Sequence, residues 1–197
     1  MIHTNFKKEH YPYTALFCEE NIWQLLNSFV DQKQSISNMW VLFITNPERK
    51  IPLLNQQAAA LNRAIIWDYH AILLSQTRQQ QLIFDFDTRL PFVASLKQYL
   101  QNSFINPDEL PDILTPYIRT IPAQSYLQRF HSDRAHMLNK IAAAQFPDWP
   151  IINAGLKNPI KLERYLDVEQ LIDGSKVLKL TSLAALEQWL MAANSSE

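Results

Sequence analysis

Three apolar runs crowded between residues 39 and 87 constrain this chain more than any other feature: "MWVLFIT" (39–45), "AIIWDYHAILL" (64–74) and "QLIFDFD" (81–87). Each is rich in β-branched and aromatic residues, and each is too short to cross a membrane as a helix. They read as buried strands that other layers must cover. Helical spacing supplies that cover. Ile22, Leu25, Leu26, Phe29 and Val30 share one face, which predicts a helix from Glu19 to about Gln32. Further helical segments are expected at 92–104, 123–141 and 182–194, a short strand at 175–180, and an irregular entry over 1–17. The expected fold is a layered α/β domain, one unit over 1–197 with no linker.

Composition then removes several classes of function. Only two glycines, Gly155 and Gly174, stand against 11 prolines, so a Gly-rich phosphate loop or dinucleotide fingerprint is absent. No CxxC, HExxH or EF-hand loop is present, so no metal and no cofactor is expected. Lys plus Arg total 18 and Asp plus Glu 19, for a net charge of −1, and no basic stripe occurs. Nucleic acid and anionic membrane are therefore not expected partners. The first residues lack the apolar segment of a secretory signal, and one cysteine forms no internal disulfide. These features lead to an expected cytoplasmic setting.

That single cysteine, Cys18 in "FCEENIW" (17–23), sits at the start of the first helix. Dipole and free N–H groups at a helix start bias a thiol toward thiolate. Strand parity offers it partners. In 64–74, Ile66, Asp68, His70 and Ile72 share a face; in 81–87, Ile83, Asp85 and Asp87 do. A hairpin turning at Thr77–Arg78 sets residues 70 and 85 directly opposite, with Cβ atoms roughly 5 Å apart. Cys18, His70 and Asp85 then read as nucleophile, base and orienter, with helix-start N–H groups as an oxyanion hole. The bland alternative stays beside this one. A lone cysteine is often a small buried hydrophobe, and a histidine on an apolar strand is often a satisfied core residue. Asp85, between Phe84 and Phe86, resists the bland reading because a carboxylate there needs a partner.

The stretches "FCEENIW", "IPLLNQQA", "IIWDYHAILL", "IFDFDTRLPF" and "SYLQRFHSDRAHM" resemble, in order, the motifs of the protein N-terminal glutamine amidohydrolases. The resemblance runs from about residue 11 to 190 and is weakest over 139–160. It implies an enzyme that converts a protein's N-terminal Gln to Glu and releases ammonia, with Cys18 as nucleophile, His70 as base and Asp85 as orienter. The fold it implies is a single-domain three-layer α/β/α sandwich related to the papain/transglutaminase-like core. Its partners would be proteins or peptides with a free N-terminal Gln, and a degron pathway would read the product. A monomer is expected. Asp68, Glu19 and Glu20 become candidates to bind the substrate's α-ammonium, with Tyr69 beside them. "HSDRAHM" (131–137) reads as a helix start capped by Ser132, with Ser132, Asp133 and His136 as alternative pocket-lining residues. Asp87 is expected to organise the following turn. The rival readings are a cysteine enzyme acting on internal glutamines, as deamidase or transglutaminase, and a non-catalytic module that binds N-termini.

Overall fold

A computed structural model describes residues 6–77, 79–172 and 174–192. The strands are β1 (Met39–Thr45), β2 (Ile51–Leu53), β3 (Ile65–Trp67), β4 (His70–Gln76), β5 (Gln81–Phe84), β6 (Val93–Ser95), β7 (Tyr117–Pro122), β8 (Phe130–His131), β9 (Ile160–Lys161) and β10 (Lys176–Lys179). The α-helices are α1 (Cys18–Asp31), α2 (Leu96–Ser103), α3 (Ala123–Arg129), α4 (Leu162–Leu166) and α5 (Leu183–Ala192). The fold is mixed α/β, and its main sheet has six strands in the order β10-β7-β1-β4-β5-β6, every pair antiparallel. Among the described residues, no helix is long and apolar enough to cross a membrane.

The alternation of side chains along β1 explains why that run is apolar throughout. Val41 and Phe43 enter one core with Leu25, Leu26 and Phe29 of α1, while Leu42 and Ile44 enter another with Tyr99 and Leu100 of α2. A strand buried on both faces has no solvent side, so it carries no polar alternation. Burying Phe29 or Leu26 fully contributes about 1.5–3 kcal/mol each, which is what fastens α1 to the sheet.

Several expected elements differ in the structure. The run 64–74 is not one strand: β3 pairs with β2 in a separate two-stranded sheet, and β4 begins only at His70. Between them the Asp68 side chain accepts the Tyr69 N–H at 3.0 Å, a local bond that takes the place of a ladder bond. The register of the β4–β5 hairpin is also shifted. Leu73 faces Phe84 and Leu74 faces Ile83, so the ladder, carried on, would set His70 opposite residue 87 rather than 85. Part of the expected turn, at Arg78, lies outside the described residues. The helix expected over 92–104 begins as β6, and α2 starts once Ser95 Oγ accepts the Gln98 N–H at 3.2 Å. The helix expected over 123–141 stops at Arg129, and Arg134 adopts φ 57°, the left-handed conformation that no helix interior accepts. Residues 193–194 of the expected last helix lie outside the described residues.

Candidate active site

Cys18 is the first residue of α1, and the chain entering it is held by Asn21. The Thr14 N–H donates to Asn21 Oδ1 at 2.9 Å, and Asn21 Nδ2 donates to the Thr14 carbonyl at 2.8 Å. Leu16 takes φ 71°, a conformation that costs a non-glycine residue, so the sharp entry is held by its surroundings. Phe17 stands at the cap position and supplies no side-chain cap to the first-turn N–H groups of α1.

The structure brings His70 and Asp85 together. His70 Nε2 lies 2.9 Å from Asp85 Oδ1, and both residues are buried. The register shift does not separate them, because β5 ends at Phe84 and Asp85 reaches across diagonally. With Nε2 engaged, Nδ1 is the ring nitrogen left for a neighbouring thiol. Asp85 accepts three further bonds: at Oδ1 from the Asp87 N–H (2.9 Å), and at Oδ2 from Tyr99 Oη (2.8 Å) and Gln56 Nε2 (3.4 Å). Tyr99 and Gln56 were not singled out from the sequence. Tyr99 looks like one more apolar position of a helix, and Gln56 is marked only by its place within "IPLLNQQA". Trp67 stacks on the imidazole, ring centres 5.8 Å apart and planes 12° from parallel.

Electrostatics divide the roles. Burial opposes a charged Asp85, yet His70, the Asp87 N–H and the Tyr99 hydroxyl outweigh it and hold the carboxyl below its ordinary value. Burial likewise opposes imidazolium at His70, but the Asp85 charge and hydrogen bond prevail and raise its pKa. Cys18 departs from the sequence expectation of a thiolate bias. Burial first, then the Glu19 and Asp87 carboxylates, push the thiol well above its ordinary value, and the Ala71 backbone N–H only partly offsets them.

A cavity of about 170 Å³ is lined by Cys18, His70, Asp68, Tyr69, Asp87 and His136, among others. Asp68 is exposed there, with one oxygen on the Tyr69 N–H. The other substrate-binding candidates are placed differently. Glu20 is 0% exposed and lies outside the cavity lining. It accepts bonds from Ser132 Oγ (2.6 Å), Arg134 Nε and Nη2 (2.9 and 3.0 Å) and Trp149 Nε1 (2.6 Å). Ser132 thus bonds Glu20 instead of capping a helix. Asp133 pairs with Lys161 Nζ at 2.7 Å on the surface. Glu19, also 0% exposed, accepts from Tyr69 Oη at 2.8 Å and from the Cys18 thiol at 3.7 Å. Asp87 accepts the Tyr13 hydroxyl at 2.6 Å rather than only ordering a turn.

His70, Asp85 and Asp87 each offer one ligand atom within 4.8 Å of the others, a spacing a metal could use. His70 Nε2 and Asp85 Oδ1 are already bonded to each other, and Asp85 Oδ1 also holds the Asp87 N–H. The bond between His70 and Asp85 orients the imidazole, as an acid–base site requires.

The model of the N-terminal glutamine amidase family matches residues 13–187. A zebrafish (Danio rerio) protein named "Protein N-terminal glutamine amidohydrolase" is 38% identical over 127 residues, covering 64% of this chain and 63% of its own length. A human protein of the same name is 35% identical over 147 residues, 73% of this chain and 72% of its own. One from Caenorhabditis briggsae is 30% identical over 184 residues, 88% of this chain and 97% of its own. The chain belongs to the N-terminal glutamine amidase family.

Proposed function

We propose that this protein hydrolyses the side-chain amide of an N-terminal glutamine in proteins or peptides, giving N-terminal glutamate and ammonia through a Cys18 thioester. The observation that carries this reading is one small cavity lined by Cys18 and His70, with Asp85 bonded to His70 behind it, in a chain of this family. The thiol gives its proton to His70 Nδ1, and the thiolate attacks the carboxamide carbon. Uncapped N–H groups at the start of α1 meet the oxyanion. Imidazolium then protonates the leaving nitrogen, ammonia departs, and a thioester remains. Water gives a proton to the same imidazole as it attacks, and collapse releases glutamate and the thiol. Asp85 holds the tautomer throughout.

A cavity of about 170 Å³ lies below the range of pockets for drug-sized ligands, so it suits one side chain at a chain end. Asp68, exposed at that cavity, is our candidate for the α-ammonium. We further propose a cytoplasmic monomer that needs no metal or cofactor and acts in a degron pathway. Its architecture, in this reading, is one α/β/α catalytic domain related to the transglutaminase core; the two cores on opposite faces of β1 support it.

The test is ammonia release from four peptides at equal concentration: Gln-starting, Asn-starting, N-acetyl-Gln and internal Gln. Turnover of the first is expected, with little of the second. A carboxamide one methylene shorter falls about 1 Å or more short of the attack position at the sulfur, and such a misplacement costs roughly 10²-fold. Comparable rates on internal Gln would transfer the reading to an internal deamidase. No turnover with an inert thiol would transfer it to a binding module.

A further inference from the structure

We propose that Glu19 serves the nucleophile as a neutral carboxyl, keeping its proton through turnover and sharing it with His136 so that Cys18 can ionise. The inference rests on the thiol chemistry proposed above and concerns a group that chemistry leaves unused.

Glu19 sits between two very different supplies of donors. Its neighbour Glu20 has Arg134, Ser132 and Trp149, a cation and two neutral donors. Glu19, equally buried, has no Lys or Arg paired with it among the described residues. Its Oε2 takes the Tyr69 hydroxyl and the Cys18 thiol, while Oε1 is buried with no hydrogen-bond partner. His136 Nε2 lies 3.5 Å from Oε1, and that ring is 3.3 Å from Tyr69 Oη. Tyr69 has a single hydroxyl proton and gives it to Glu19. A proton on Oε1 would turn the orphaned acceptor into a donor aimed at His136 Nε2, completing the set.

The chemistry of Cys18 requires the same state. A carboxylate 3.7 Å from the sulfur opposes the thiolate, and a neutral carboxyl does not. The surroundings agree from each side. Burial, with Glu20 adding to it, raises the Glu19 carboxyl to about 7, against hydrogen bonds from Tyr69, from its own backbone N–H and from Cys18 that favour its anion. His136 is held neutral by burial and by Lys140, against Glu163, Asp68 and Glu20. From α3, Tyr126 Oη donates to the Glu19 backbone carbonyl and leaves the carboxyl alone. His70, across the thiol, feels Glu19 only after Asp85 and Asp87. Glu19 neither gains nor loses a proton in the cycle: the thiol proton goes to His70 and returns. Glu19 is thus a positioning residue acting through Cys18.

The experiment compares wild type, Glu19→Gln, Glu19→Ala and Tyr69→Phe. It reads kcat and KM for a Gln-starting peptide across pH, and the substrate-free rate of Cys18 alkylation by iodoacetamide across the same range. Glutamine mimics the neutral acid, so Glu19→Gln should stay within about threefold of wild type at pH 6, whereas Glu19→Ala should lose about tenfold or more. The wild type should lose activity as pH rises through about 7, and Glu19→Gln should not. Tyr69→Phe removes a bond that favours the anion, so it should move that loss to higher pH. A Glu19→Gln protein as slow as Glu19→Ala, with raised KM and an unchanged alkaline limb, would overturn the proposal and make Glu19 an anion that binds substrate. If Glu19→Gln does not fold, Tyr69→Phe decides: an unmoved limb overturns the proposal. If no peptide is turned over at all, the enzyme reading fails while the alkylation profile still settles Glu19.

Discussion

On one side of Cys18 the sheet delivers His70 and Asp85, and Asp85 takes hydrogen bonds from four groups; on the other a loop sets His136 against Glu19, whose Oε1 takes none. Both carboxyls are buried, and burial acts on both in the same direction. The supply of donors decides the outcome. Asp85, facing an imidazole, a hydroxyl, an amide and a backbone N–H, is kept ionised, which suits a group that orients a base. Glu19, with a hydroxyl, its own backbone N–H and a thiol but no imidazole bond or cation to outweigh burial, is pushed to about 7. The contrast recurs between Glu19 and Glu20, adjacent on one helix, of which only Glu20 has a guanidinium.

The largest effect expected is at the centre of the comparison. Cys18→Ala should abolish ammonia release with the fold intact, because the thiol is the only nucleophile shared by the two walls. Turnover by the folded variant would end the mechanism. Asp85→Asn should follow, losing on the order of 10²–10⁴ in rate by allowing the wrong tautomer. Asp87→Asn tests how far the shifted register matters. It should cost less, since Asp87 meets Tyr13 and reaches His70 only through its charge. A reversal of that order would assign orientation to Asp87.

Stability should separate the two adjacent glutamates under one substitution. Glu20→Gln leaves Arg134, mostly buried, without its counter-charge, and breaking such a pair costs about 3–5 kcal/mol. Glu19→Gln should go the other way at high pH. The folded value of Glu19 is raised from 4.5 to about 7, so its contribution is fully present below about 4.5 and lost as pH rises through about 7. Glutamine does not titrate. Above that window Glu19→Gln should exceed wild type by on the order of 3 kcal/mol, at about 1.4 kcal/mol per pH unit. Urea unfolding at pH 5, 6 and 8 reads the difference; parallel wild-type and variant values would mean Glu19 is ionised throughout.

The two walls also differ in how they were written in the sequence. The sheet wall is local. A strand has period two, so parity put His70 and Asp85 on one face, and a slip of two residues in register left that face unchanged. The helix start at Cys18 was equally visible, from the apolar spacing behind it. The loop wall depends on bonds between residues more than 110 apart, such as Glu20 with Ser132 and Arg134, which no periodicity encodes. There the helix rule, applied to "HSDRAHM", misassigned Ser132. β7 was missed for a related reason: Arg119 stands in its middle, yet is buried because its guanidinium meets the backbone carbonyls of Tyr165, Asp167 and Gln170. The thiolate bias expected of Cys18 is opposed by burial and by the Glu19 charge beside it, neither of which a helix-start rule takes into account.

The smallest effect belongs to Asp68, which lies at the open edge between the two walls. Its carboxylate is exposed, and one oxygen already holds the Tyr69 N–H. An ammonium paired with it remains wet, and such pairs are worth about 1 kcal/mol or less, which is about fivefold in affinity. Asp68→Asn should therefore raise KM for a Gln-starting peptide by up to about fivefold and leave kcat nearly unchanged. Asparagine can still accept the Tyr69 N–H, so the break between β3 and β4 survives the change. The pair is screened by salt, so the ratio of the two KM values should shrink as ionic strength rises from about 0.01 to 0.15 M. A loss beyond 100-fold, concentrated in kcat, would mean that Asp68 positions His70 through the β3–β4 break. The two walls would then be joined by a third element rather than meeting only at Cys18.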